Sequence, residues 1–210
     1  MNIFKRIFKR SQKKEIDSEE IKMETLQIKH IPFPEFAIEG IEQNDLIKIL
    51  NFEIEDTLGL EDAERFIWPY WNKANQENKI RTIISEKLDN WIFIYGYNHN
   101  PIEIIKKLIK FSNCRINYYS VDSQTSDYEW IIANDGKIIR EFYSCWNIEI
   151  NKGEPLTELE SKFIKSFSNK EFIFGEDVCI SIYNHTCGLD LKKYTTETKF
   201  KVGTITITPN

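Results

Sequence analysis

The stretch SDYEWIIANDGKIIREFYSCW, residues 126–146, constrains the fold of this chain more than any other. Two runs rich in β-branched and aromatic residues flank Asp135-Gly136, a dipeptide that accepts positive φ at both central positions of a type I′ turn. The stretch therefore predicts an antiparallel hairpin. A two-residue loop would pair Ile131 with Arg140, whereas a three-residue loop with a bulge would pair Trp130 with Arg140.

Arg140 lies inside the second strand of this hairpin, where a charged side chain requires a partner. One interpretation is structural: Arg140 stacks on Trp130 or pairs with Glu129. The other is a concave pocket in which Tyr128, Trp130 and Arg140 bind an anion or a small ligand. We favour the structural role, because a lone arginine makes no phosphate site without a Gly-rich loop or a helix N-terminus beside it.

The order of the remaining elements predicts the fold class. Hairpin-like strands over 80–88 and 91–97 precede a helix that opens at Pro101. Thr157 and Glu160 match a capping box at the start of a second helix, and the chain ends in an alternating strand. Because strands follow one another more often than they alternate with helices, the pattern predicts an α+β fold. We expect a mainly antiparallel sheet with helices packed on one face.

Charge divides the chain into a leader and a body. Residues 1–14 hold six basic residues and no acidic one, and the remainder holds 22 basic and 33 acidic residues. We therefore predict a leader and polar linker over residues 1–25 and one globular domain over residues 26–210. The leader predicts a short amphipathic helix that contacts an anionic membrane surface through residues 1–10. Its apolar and basic residues are Ile3, Phe4, Ile7, Phe8, Lys5, Arg6, Lys9 and Arg10.

Several classes of chemistry lack their sequence signatures. The three histidines do not sit beside an activated serine or cysteine, and neither zinc-ligand spacing nor a nucleotide-binding fingerprint occurs. The acidic body repels phosphate, which disfavours nucleic acid. We therefore predict no catalytic residue, no metal, no cofactor and no enzymatic activity. The longest apolar run is WIFIY, and we expect a cytoplasmic protein.

Part of the chain, about residues 79–195, resembles a group of small, mostly uncharacterised bacterial proteins, some of which resemble immunity proteins of polymorphic toxin systems. The resemblance implies the fold more than the function, because its motifs are turns, caps and core aromatics, and it implies no functional residue. It rests on Trp91 and the strand after it, the helix through Ser112, Trp130, Asp135-Gly136, Arg140, GEPLTELE (153–160) and EDV (176–178) before GLDL.

The resemblance and the acidic, aromatic-rich body together favour an immunity-type antitoxin that binds and occludes a cognate toxin, here expected to be basic. The predicted partner face combines Trp68, Tyr70 and Trp71 with Glu61 and Asp62, because aromatics ringed by charge resemble interface hot spots. A core plug at a helix end is the alternative for these aromatics. The competing functions are a small ligand-binding domain or enzyme, and a peripheral membrane protein that acts through its leader.

Overall fold

The computed structural model describes the chain over residues 35–67, 79–96, 101–111, 113–122, 125–169, 173–187 and 198–206. The chain divides into two units, residues 1–31 and residues 32–210, and the elements below belong to the second. The predicted leader, residues 1–25, and the domain start at residue 26 lie outside the described residues, so both remain predictions.

The described ranges contain nine strands and five helices. The strands are β1 (Phe36–Glu39), β2 (Phe52–Gly59), β3 (Lys79–Ser85), β4 (Trp91–Tyr95), β5 (Arg115–Asp122), β6 (Asp127–Asn134), β7 (Lys137–Cys145), β8 (Asn147–Lys152) and β9 (Lys199–Thr206). The helices are α1 (Gln43–Leu50), α2 (Leu60–Ile67), α3 (Pro101–Phe111), α4 (Glu158–Asn169) and α5 (Gly175–Cys187). Within these ranges, no helix combines the length and hydrophobicity that a membrane crossing requires.

The strands form one open sheet in the order β2-β9-β3-β4-β1-β5-β6-β7-β8. Every neighbouring pair is antiparallel. The predicted α+β class with an antiparallel sheet is therefore confirmed. The order also places β2 and β8 at the two edges, where backbone groups on one side face away from the sheet.

The helices pack on both faces of the sheet, although the sequence predicts them on one. Successive side chains of a strand point to opposite faces. In β6, Trp130 contacts Phe163 of α4 with ring centroids 5.9 Å apart, whereas the next residue, Ile131, joins a core cluster that includes residues of α1 and α3. The reason is that β6 is buried without interruption from Trp130 to Ala133, so both of its faces need cover.

The Asp135-Gly136 turn is formed as predicted, with φ values of 51° and 73° that are typical of a type I′ turn. Farther along the hairpin, a register shift leaves Ile139 unpaired, so Arg140 lies opposite Ile132. The two-residue loop, which pairs Asn134 with Lys137, is therefore confirmed, but both predicted partners of Arg140, Ile131 and Trp130, are wrong. Because one extra residue reverses the face to which a strand directs its side chains, this bulge turns Arg140 away from the α3 face and toward α4.

Candidate functional site

Arg140 lies at the centre of a buried polar network beneath α4. Its side chain and that of Glu160 are both 0% exposed, and Arg140 Nε donates to Glu160 Oε1 at 2.6 Å. Trp130 Nε1 donates to the same oxygen at 2.8 Å. Arg140 Nη1 donates to the carbonyl oxygens of Lys152 at 2.8 Å and Gly153 at 3.1 Å. The buried charge is thus paired and hydrogen-bonded, which is the condition for burying it at all.

Glu160 also belongs to the predicted capping box of α4. Its amide donates to Thr157 Oγ1 at 3.0 Å, which confirms the hydroxyl half of the box. In a capping box the carboxylate would accept the amide of Thr157. Here Glu160 Oε2 instead accepts the amide of Leu156 at 2.6 Å, and Oε1 accepts hydrogen bonds from Arg140 and Trp130. The first turn of α4 therefore fixes the carboxylate that neutralises Arg140, and one network joins β6, β7 and α4.

The predicted pocket around Tyr128, Trp130 and Arg140 is not formed. The three residues are 5%, 0% and 0% exposed. Phe163 of α4 lies 5.7 Å from the Tyr128 ring and 5.9 Å from the Trp130 ring, and Trp130 stacks on Phe142 at 4.1 Å. The structural role of Arg140 holds, but its partner is Glu160, so the predicted pairing with Glu129 and stacking on Trp130 are wrong.

The structure describes two of the five predicted partner-binding residues. Glu61 and Asp62 are exposed in the first turn of α2, where acidic side chains complement the positive end of the helix dipole. Asp62 accepts a hydrogen bond from Arg65 at 3.3 Å. Trp68, Tyr70 and Trp71 lie outside the described residues, so their part in a partner face stays a prediction.

Glu61 and Asp62 continue an acidic segment that begins on the edge strand β2. Residues 53–65 hold six acidic residues and one basic residue. We call the exposed part of this segment, Glu53, Glu55, Asp56, Glu61 and Asp62, the acidic edge. A register shift between Ile54 and Asp56 bulges the strand at Glu55, and Ile54 is 49% exposed among these carboxylates. The acidic edge therefore offers charge, an apolar side chain and strand backbone on one border of the sheet.

Few cations neutralise the acidic edge. Lys79 pairs with Glu53 at 2.8 Å, and Arg65 pairs with Asp62. In the part of the chain that the structure describes, no cation pairs with Glu55, Asp56 or Glu61. Each exposed ion pair contributes about 1 kcal/mol or less to stability and compensates only one carboxylate, so three of the five negative charges of the acidic edge remain. The acidic edge thus carries a negative potential available to a positive partner.

The cysteines and histidines of the described residues offer little nucleophilic chemistry. All four cysteines are free thiols. Burial raises the pKa of the Cys187 thiol to about 12 and also raises that of Cys179, and a hydrogen bond to Asp127 raises that of Cys145. A protonated thiol is a weak nucleophile. His185 is exposed on α5, and within the described ranges no three His, Cys, Asp or Glu side chains gather as metal ligands would.

Comparison of the chain with protein-family models, curated proteins and solved structures finds no match. The resemblance over residues 79–195 therefore remains an expectation from the sequence, and the candidate site rests on its own geometry.

Sequence reasoning missed the strand that carries most of the acidic edge. The segment FEIEDTLG alternates apolar and acidic residues in its first four positions, Phe52 to Glu55, as a half-buried strand does. Phe52 is buried and the next five residues are exposed. This alternation is the sequence signal from which β2 could have been predicted. It covers only four residues, however, and the charged residues after it favour a loop.

Proposed function

We propose that this chain is an immunity-type antitoxin that binds a basic cognate toxin and occludes it, with the acidic edge as the contact surface. One observation carries the proposal: residues 53–65 combine six acidic residues with one basic residue at the exposed border of the sheet. Such a surface attracts a positive partner over a screening length of about 8 Å at physiological ionic strength and raises the rate of encounter. The resemblance over residues 79–195 supports the same class of function.

The edge position of β2 adds a means of contact beyond charge. An edge strand presents unpaired N–H and C=O groups to which a partner strand can add. Ile54, 49% exposed, supplies an apolar side chain beside Glu53 and Glu55. Charge brings the toxin to this border, and backbone pairing with apolar contact then holds it there.

Co-production of the chain with a toxin tests the proposal. Where a large secreted toxin is encoded directly upstream, that toxin is the one to use, and we expect the chain to restore growth of the producing cells. In a direct titration, the triple variant Glu55→Lys, Asp56→Lys, Glu61→Lys should bind the toxin at least tenfold more weakly than wild type. The wild-type association rate should fall as the salt concentration rises.

The matched control is Glu154→Lys, Glu176→Lys, Asp177→Lys, which reverses three exposed acids far from β2 in sequence, in the loop before α4 and at the start of α5. It should bind as wild type does. Equal protection by the triple variant and by wild type would remove the acidic edge as the contact surface. Failure of wild type to protect against any upstream toxin would overturn the antitoxin role itself.

Location belongs to the same proposal. A cytoplasmic antitoxin meets its toxin as the toxin enters, and contact of residues 1–10 with anionic lipid would place it on the inner membrane surface. The ligand-binding or enzymatic alternative with a pocket around Arg140 and Trp130 is not retained, because both side chains are buried in the core.

A further inference from the structure

Trp146 is the most exposed large hydrophobic residue of the described part of the chain. It alone connects Cys145, the last residue of β7, with Asn147, the first residue of β8, and it is 72% exposed. Large apolar side chains in a chain of this size are normally buried. The contacts of Trp146 within the fold therefore do not explain the choice of tryptophan at this turn.

The backbone of Trp146 makes this choice costlier. Its φ is 61°, in the left-handed region that bulky side chains rarely adopt. The other described non-glycine residues with positive φ have small polar side chains that tolerate this conformation: Asn51, Asp89, Ser126 and Asp135. Asparagine at position 146 would fit the turn with less strain. Tryptophan at this position therefore lowers the stability of the fold. A residue that lowers stability in this way is typical of a binding site, where contact with another molecule accounts for its presence.

Two carboxylates, Asp127 and Glu149, lie on the strands next to this turn. Asp127 pairs with Cys145 across the β6–β7 ladder, and its carboxylate accepts the hydroxyl of Thr125 at 2.6 Å. The hydrogen bond from the Cys145 thiol lowers the pKa of Asp127, so this carboxylate is ionised at neutral pH. Glu149 is exposed on β8 and lies close enough for its charge to raise the pKa of Cys145 and of Tyr143.

Within the strands β5 to β8, the basic residues lie away from the Trp146 end. Their exposed cations are Arg115 at the start of β5, Lys137 at the start of β7 and Lys152 at the end of β8. Because neighbouring strands run antiparallel, Arg115 and Lys137 lie at the opposite end from Trp146, and Lys152 lies opposite Glu141 in the middle of β7. On these strands, the indole therefore projects from a negatively charged end.

We propose that Trp146, Asp127 and Glu149 form a binding surface for an arginine side chain in a basic segment of a partner protein. The indole ring is the strongest cation–π acceptor among the side chains. A guanidinium is flat, so it stacks on that ring while its N–H groups donate to carboxylates beside it. This surface lies on the side of the sheet that ends in β8, and the acidic edge lies at β2, the opposite edge. It goes beyond the proposed function and does not depend on it.

Indole ¹⁵N nuclear magnetic resonance tests the proposal on the full chain. The chain has five tryptophans, and the signal that is lost in Trp146→Asn identifies Trp146. The probes are nona-arginine and nona-lysine peptides at matched concentration and ionic strength. We expect the Trp146 signal to shift saturably with nona-arginine, with a Kd at least tenfold below that for nona-lysine. Asp127→Asn with Glu149→Gln should weaken this binding at least fivefold.

Trp146→Asn should melt at the wild-type temperature or above it, so the indole signal that is missing from its spectrum is lost with the side chain and not with the fold. Phe111→Ala is the matched control, because Phe111 is also an exposed aromatic residue, at 66%, but lies beside the cation Lys110 on α3. This variant should bind nona-arginine as wild type does. An unmoved Trp146 signal while nona-arginine binds elsewhere overturns this surface and leaves the acidic edge untouched. An equal response to nona-lysine overturns arginine recognition.

Discussion

Replacement of Arg140 by methionine should destabilise the protein severely. Methionine is unbranched and of similar length, so it fills the space of the arginine stem without a large cavity. What it removes is the cation that faces Glu160, and both side chains are 0% exposed. Breaking a buried ion pair on one side typically costs about 3–5 kcal/mol, because the remaining charge is left without compensation in a dry site.

This magnitude separates a buried ion pair from simple stacking. Stacking of an arginine on an aromatic ring contributes about 0.5–2 kcal/mol. A domain is stable by about 5–15 kcal/mol, so a loss of about 4 kcal/mol removes a large share of that stability. With a urea m-value of about 2 kcal/mol/M, the unfolding midpoint should fall by about 2 M.

Urea unfolding followed by circular dichroism measures this loss, and a second substitution tests its cause. In Arg140→Met, Glu160 is a buried carboxylate without a cation. The double variant Arg140→Met, Glu160→Gln, which removes the stranded charge, should recover much of the loss.

Arg115→Met is the matched control. Arg115 pairs with Glu39 at 2.9 Å, but its side chain is 44% exposed, so this change should cost about 1 kcal/mol or less. A cost below about 1 kcal/mol for Arg140→Met, or a deficit that Glu160→Gln does not reduce, would refute the reasoning from the buried pair.

Two further predictions concern a half-buried carboxyl group and the leader. Burial, with the charge of Glu141 as a smaller contribution, raises the pKa of Glu129, so ionisation of Glu129 opposes folding as the pH rises. In urea unfolding, Glu129→Gln should therefore be more stable than wild type at pH 8 and as stable as wild type below the unfolded pKa of about 4.3. A lower stability of Glu129→Gln at pH 8 would contradict this explanation. The full chain should co-sediment with anionic vesicles more than a chain starting at Glu15, and equal sedimentation would leave residues 1–10 without a membrane role.

The features that sequence predicts correctly are local ones. The Asp135-Gly136 turn needs two adjacent residues that accept positive φ, and the hydroxyl half of the capping box needs Thr157 and Glu160, three positions apart. Each pattern contains its own partner, so one sequence suffices to identify it.

The partner of Arg140 was beyond the same reasoning. Glu160 lies 20 residues away along the chain, and it meets Arg140 because a bulge at Ile139 reverses the face on which Arg140 lies. No turn residue in the sequence marks that bulge. A chain read residue by residue shows that Arg140 needs a carboxylate, but the register decides which carboxylate it reaches.

Both edge strands were also missed, and the reason bears on function. An interior strand is buried on two faces and reads as a continuous apolar run, as WIFIY of β4 does. An edge strand carries many exposed polar residues, as β2 and β8 do, and these weaken the apolar pattern by which strands are recognised. The sequence is therefore least informative at the two borders of the sheet, where both proposed binding surfaces lie.

The charges of β2 have a second physical explanation, and one variant distinguishes the two. Charged side chains and bulges on an edge strand prevent edge-to-edge aggregation, and any charge of either sign serves that purpose. A binding surface for a basic partner instead requires negative charge. Lysine at positions 55, 56 and 61 keeps the edge charged but reverses its sign. If Glu55, Asp56 and Glu61 only protect the edge, this variant stays monomeric and protects cells as wild type does; if they also bind the toxin, it stays monomeric and no longer protects. Because the variant is expected to be monomeric under either explanation, the oligomeric state does not distinguish them. Protection of the cells does, because only recognition of a basic partner depends on the sign of the charge.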